Sequence, residues 1–192
     1  MIIKIVKCFL ICCLLFTSVT NAALVETKTP EQVASENTQL EAIVKEIGIG
    51  NYRGLETWLS SNIKYRVDRT DYYEWKEPWQ TLQERRGDCE DYAILALEIL
   101  VRMGVKDVFL LGVAPVKRRL GHVVCVFRES STQGWQYYDF HKYYKTSILS
   151  FKELIYAIAH SCRYGSNIEW QVADNVRKNV PVEARASYGL DA

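Results

Sequence analysis

The hydrophobic period of this chain changes from helix to strand after Met103, and that change constrains the fold more than any other feature. Up to Met103, apolar residues recur three and four apart: Leu40, Ile43, Val44 and Ile47, then Leu55, Trp58, Leu59 and Ile63, then Tyr92, Ala93, Leu95, Ala96, Ile99 and Leu100. This is the spacing of helices that bury one face. After Gly104 the apolar residues follow strand patterns over residues 108–113, 122–127 and 135–139. A polar turn at 129–134 joins the last two into a hairpin. Ser150 then opens a closing helix with Phe151, Leu154, Ile155 and Ile158 inward. Helices, then neighbouring strands, then a helix predict an α+β domain in which the helix after Asp88 packs on an antiparallel sheet.

The first residues are read separately. Lys4 and Lys7 precede an unbroken apolar run from Cys8 to Phe16, and small and polar residues follow as far as Ala23. This is the layout of a secretory signal over residues 1–22, with cleavage expected after Ala22. The run is about half as long as the roughly 20 residues that span a bilayer core, so no anchor is expected to remain after cleavage. A periplasmic or secreted location follows. Residues 23–192 then suit one domain, with its core at about 36–164 and a polar lead-in at 23–35. A formal charge of +1 over 192 residues gives no electrostatic case for nucleic acid as a partner. Of six cysteines, Cys8, Cys12 and Cys13 leave with the signal, and Cys89, Cys125 and Cys162 stay. An odd number in an oxidising compartment suggests a free thiol. Cys125 alternates inward on a strand and Cys162 lies near a helix end, so these two are expected to stay unpaired.

Cys89 takes the first position of the third helix. Asp88 stands before it as N-cap, and Asp91 is placed three residues on to complete a capping box. Free N–H groups and the positive dipole end favour a thiolate there, and the same N–H groups can hold an oxyanion after attack on a carbonyl. Such a nucleophile needs a base, and His122 opens a strand. The base needs a group that fixes its tautomer, and Asp139 ends the next strand. Singly, these read as a packing cysteine, a structural histidine and a strand-closing aspartate. Together they lie where a Cys-His-Asp triad requires them.

The run from Trp79 to Leu95, centred on Gly87-Asp88-Cys89-Glu90-Asp91-Tyr92-Ala93, resembles the nucleophile segment of the transglutaminase-like superfamily. Gly121-His122-Val123 and Trp135-Gln136-Tyr137-Tyr138-Asp139 resemble its histidine and aspartate strands. The likeness spans about a third of the chain. It is closest to the bacterial transglutaminase-like cysteine proteinases, a group that includes a periplasmic adhesin-cleaving protease. It implies a papain-like core with Cys89, His122 and Asp139 as the catalytic triad.

Asp88, Glu90 and Asp91 crowd the sulfur with carboxylates, which oppose a thiolate. They can be simple first-turn acids, with Arg85 and Arg86 as the neutralising charges. Clustered carboxylate oxygens also suit a calcium ion, and the resemblance implies Ca²⁺ ligands at Asp88 and Glu90. Two side chains are candidates for a second oxyanion donor. Gln83 lies six residues before the cysteine, as in papain-like enzymes, and Trp79 offers an indole N–H, as in true transglutaminases. The aromatic stretch at 65–79 reads as a long loop whose Tyr72, Tyr73, Trp75 and Trp79 wall the cleft.

The expected function is therefore an exported cysteine peptidase or amidase acting on a protein or peptide. The alternatives are a protein-glutamine transamidase or deamidase, which shares the triad, and a non-catalytic binding module of the same fold.

Overall fold

The computed structural model describes residues 29–67, 75–116 and 121–173. The expected signal segment, its cleavage point after Ala22, and Tyr72 and Tyr73 of the aromatic stretch lie outside the described residues. The chain divides into two compact units, Met1–Ala34 and Ser35–Ala192. Of the first, only residues 29–34 are described, and they carry the start of the first helix.

That helix, α1 (Pro30–Ile47), begins within the stretch that reads as a polar lead-in, and Pro30 at its first position suits a helix start. Leu40, Ile43, Val44 and Ile47 are its buried apolar residues, as their spacing requires. In α2 (Tyr52–Asn62), the Asn51 side chain caps the N-terminus by accepting the Gly54 N–H at 2.9 Å, and Leu55, Trp58 and Leu59 are buried. A short helix α3 (Pro78–Glu84) occupies the end of the expected loop. The helix of the nucleophile segment is α4 (Cys89–Arg102), and Gly104 follows it with φ +90, a conformation that glycine adopts without strain.

α4 is buried more completely than its one-faced pattern predicts. Ile94 and Leu97 are buried along with Tyr92, Ala93, Leu95, Ala96, Ile99 and Leu100. One core unites residues of α1, α2, α3 and α4 with one face of the sheet. Each fully buried aliphatic side chain contributes roughly 1.5–3 kcal/mol of transfer free energy, so the helix bearing Cys89 is firmly fixed. The Tyr92 hydroxyl donates to the Ile63 carbonyl at 2.6 Å, and Arg102 donates to the Asn37 side chain at 2.7 Å, tying α4 to its helical neighbours.

The main sheet contains β3 (Asp107–Pro115), β4 (His122–Arg128), β5 (Gln136–Asp139), β6 (Lys142–Lys145) and β7 (Ile168–Ala173). Its order is β6-β5-β4-β3-β7, with every neighbouring pair antiparallel. Strand alternation divides the side chains between two cores. Leu110, Cys125, Phe127 and Tyr138 join α4. Leu111, Val124, Val126 and Tyr137 face the other way, onto Phe151, Leu154, Ile155 and Ile158 of α5 (Phe151–Ser161). The expected α+β class is the observed one, with a second helix layer closing the far face. β6 and β7 were not expected, and β7 carries the sheet past the expected core end at residue 164. A separate parallel pair joins β1 (Lys64–Tyr65) to β2 (Arg86–Gly87).

The two remaining thiols lie in different layers. Cys125 is buried in the α4 core, whereas Cys162, at the C-terminal end of α5, packs against the opposite one. The sheet stands between them, so a disulfide would require the layers to come apart. Among the described residues, no helix is long and apolar enough to cross a membrane.

Candidate active site

The capping box written in the sequence forms. The Asp88 side chain accepts the Asp91 N–H, and Asp91 Oδ2 accepts the Asp88 N–H at 3.3 Å, leaving Cys89 as the first helical residue. Asp91 has a second task that its spacing did not reveal. Its carboxylate is only 1% exposed and takes the Lys76 ammonium at 2.9 Å and the Lys76 backbone N–H at 3.3 Å. Burial raises its pKa and Lys76 opposes the rise. Gly87 is glycine for the same reason, since a Cβ there would stand 2.4 Å from the Asp91 Cβ.

Asp91 is thus turned to structure, and two acids stay with the sulfur. One ligand atom each from Asp88, Cys89 and Glu90 lies within 4.8 Å of the others. The thiol donates to Glu90 Oε2 at 3.0 Å. Burial and the Glu90 hydrogen bond, with smaller contributions from the charges of Glu90 and Asp88, push the thiol up to about 12. The Val123 backbone N–H, hydrogen-bonded to the sulfur, acts in the opposite direction but does not win. The expected neutralising arginines are engaged elsewhere: Arg85 donates to Asn62 at 3.4 Å, and Arg86 pairs with Glu84 at 3.2 Å. Below its pKa a thiol gains thiolate about tenfold per pH unit. Alkylation of Cys89 in chelator-treated protein should therefore keep rising through pH 9 and 10. A plateau near pH 7, read by mass-resolved iodoacetamide labelling, would contradict this.

His122 opens β4 opposite Val113, and Asp139 closes β5. The register pairs Cys125 with Tyr138, so Asp139 falls beyond it on the same face as His122, a diagonal that long side chains can span. His122 Nε2 lies 2.7 Å from Asp139 Oδ1. A carboxylate accepts from a ring N–H, so this pair suits the tautomer with its proton on Nε2. His122 adjoins Val123, whose N–H meets the Cys89 sulfur, so strand β4 brings the ring into the neighbourhood of the thiol.

Phe140 follows in the left-handed region, φ 51, an uncommon state for a bulky residue. Its ring sits 5.1 Å from the His122 ring and 4.9 Å from that of Tyr65. Lys76, Tyr65, Phe140 and the Val123 N–H escaped the sequence reading. Only the aromatic richness of 65–79 hinted at one of them. Of the oxyanion candidates, Gln83 is exposed on α3, whereas Trp79 keeps a buried indole N–H without a hydrogen-bond partner.

Residues 52–157, more than half of the chain, match the family described as Transglutaminase-like domain. The chain belongs to that family. No curated protein matches. Solved structures similar to this transglutaminase-like chain include calcium-bound LapG of Legionella pneumophila. It is 22% identical, with 59% of this chain and 68% of that one covered at a TM-score of 0.45. EGTA-treated LapG is 20% identical over 64% and 70%, also at 0.45. A candidate cysteine protease of Cytophaga hutchinsonii is 13% identical over 82% and 61%, at 0.41. The matched segment contains α4, β4 and β5, which carry Cys89, His122 and Asp139.

Proposed function

We propose that this transglutaminase-like chain is a thiol hydrolase acting on a peptide or side-chain amide of a protein, with Cys89 as nucleophile. The observation that carries the reading is the 2.7 Å pair of His122 Nε2 and Asp139, with His122 next to Val123, whose N–H meets the sulfur. His122 Nδ1 takes the thiol proton, and the sulfur bonds to the carbonyl carbon. The proton passes to the departing amine as the C–N bond breaks. Water, deprotonated by the same nitrogen, then opens the thioester and frees the thiol. Asp139 orients His122 and stabilises its cation. The Cys89 backbone N–H and the Trp79 indole N–H, buried without a partner, are the candidate donors to the developing oxyanion. Export to the periplasm or medium, with removal of residues 1–22, belongs to the same reading. A peptidyl thiol-reactive probe should label wild-type Cys89 and lose its target in Cys89→Ser. Probe incorporation that ignores this substitution would overturn the reading.

The donor set at the helix start fits a hard cation, because two carboxylates converge there beside a thiol and the nearby arginines are engaged elsewhere. Asp88 and Glu90 would hold Ca²⁺. Bound there, it would supply positive charge against the carboxylates, which join burial in raising the thiol's pKa. A chelator should lower activity and melting temperature together, and added calcium should restore both. Asp88→Ala and Glu90→Ala should mimic chelation, while Glu41→Ala, exposed on α1, should not. Unchanged melting temperature and activity after chelation would reduce both acids to helix-terminal charges.

A further inference from the structure

A large exposed ring stands beside the nucleophile, where no periodicity placed it. The parallel pairing of β1 with β2 sets Tyr65 opposite Gly87, two residues before Cys89. Hydrogen bonds from the Lys64 N–H to the Arg85 carbonyl at 2.9 Å and from the Arg66 N–H to the Gly87 carbonyl at 2.8 Å fix the segment on both sides. The Tyr65 ring meets Phe140 edge-on at 4.9 Å, and Phe140 is held in turn by Tyr92 and His122, at 6.1 and 5.1 Å. The hydroxyl lies within electrostatic reach of Cys89, Asp88 and Glu90, whose charges join burial in raising its pKa. Despite this anchoring, Tyr65 remains 57% exposed.

A ring backed on one side, open on the other and fixed near the reacting sulfur offers apolar contact area at little entropic cost. Resting on the thiol-hydrolase reading, we propose that Tyr65, backed by Phe140, walls the subsite for the substrate side chain next to the reacting carbonyl. The substrate is then a peptide with an aromatic or large apolar residue there.

The test compares rates of Cys89 modification in the mature chain by iodoacetamide and by peptidyl vinyl sulfones carrying Phe, Ala or Asp next to the electrophile. Phe is expected to react faster than either Ala or Asp. Tyr65→Ala should slow the Phe probe roughly tenfold while leaving iodoacetamide unchanged, and Tyr65→Phe should behave as wild type. If Tyr65→Ala slowed both reagents alike, the residue would be supporting the thiol and not meeting the substrate. An unchanged probe preference in that variant would also overturn the proposal. A wild-type Cys89 that takes iodoacetamide but none of the peptidyl probes would overturn the hydrolase reading along with it.

Discussion

Cys89→Ser, His122→Ala and Asp139→Asn should each lower turnover roughly a thousandfold or more while leaving the melting temperature close to that of the wild type. The size follows from the division of labour. Serine in place of Cys89 leaves a far weaker acid at the same site. Without the His122 imidazole, no group within the strand pair accepts the thiol proton. Asparagine at position 139 can still hydrogen-bond to the ring but no longer stabilises its cation or selects the Nε2 proton. Because the 2.7 Å pair works through one ring, the losses should not add, and the double variant His122→Ala/Asp139→Asn should resemble His122→Ala alone. The measurement is single-turnover cleavage of a substrate found by profiling surface proteins with the mature enzyme. Near-normal turnover in Cys89→Ser would remove the nucleophile assignment, and fully additive losses would separate His122 from Asp139.

Lys76→Met should be the most destabilising single change near the site. It strands the Asp91 carboxylate, 1% exposed, without the ammonium that lies 2.9 Å away. Removing one partner of a buried pair costs about 3–5 kcal/mol. In a domain of this size that is a fall of roughly 10 °C or more in melting temperature. Burial already holds the Asp91 pKa above its ordinary value, and Lys76 limits the rise. Loss of Lys76 lifts it further. A folded-state pKa above the unfolded one costs stability while the group is ionised, and that cost disappears as pH falls and the carboxyl takes its proton. The deficit of Lys76→Met should therefore be largest at neutral pH and shrink on acidification. Thermal melts of the variant and of Lys76→Met/Asp91→Leu at several pH values check this, with the double variant expected to recover part of the loss. A pH-independent deficit would assign the damage to lost packing of the lysine stem.

Much of the site was legible because its determinants are local. The apolar spacing over Tyr92–Leu100 marks a helix, and Asp88 and Asp91 mark where it starts, so Cys89 could be placed at its N-terminus without coordinates. The strand patterns placed His122 at the start of one strand and Asp139 at the end of the next, and the register sets both on the face opposite Cys125. Two strands were missed for different reasons. β6 has four residues and lysines at both ends, so it does not announce itself as a strand, whereas β7 does alternate, with Ile168, Trp170 and Val172 on the α5 core and Glu169 and Gln171 exposed, and the sequence reading passed over it. Both form by pairing along edges that β5 and β3 already provide.

By itself, then, the sequence determined the elements that bury an apolar face, the helix start that presents a thiol, and the strands that carry its partners. Propensity, capping and periodicity act within a few residues and can be read along the chain. The tertiary structure decided which acids remain with the sulfur and which one is taken by Lys76, fifteen residues away. It also brought Tyr65 alongside Gly87 and set Phe140 against His122. These are contacts between segments distant in sequence. A local pattern reports which side of an element avoids water, but packing and the geometry of two-residue strands choose what that side will meet.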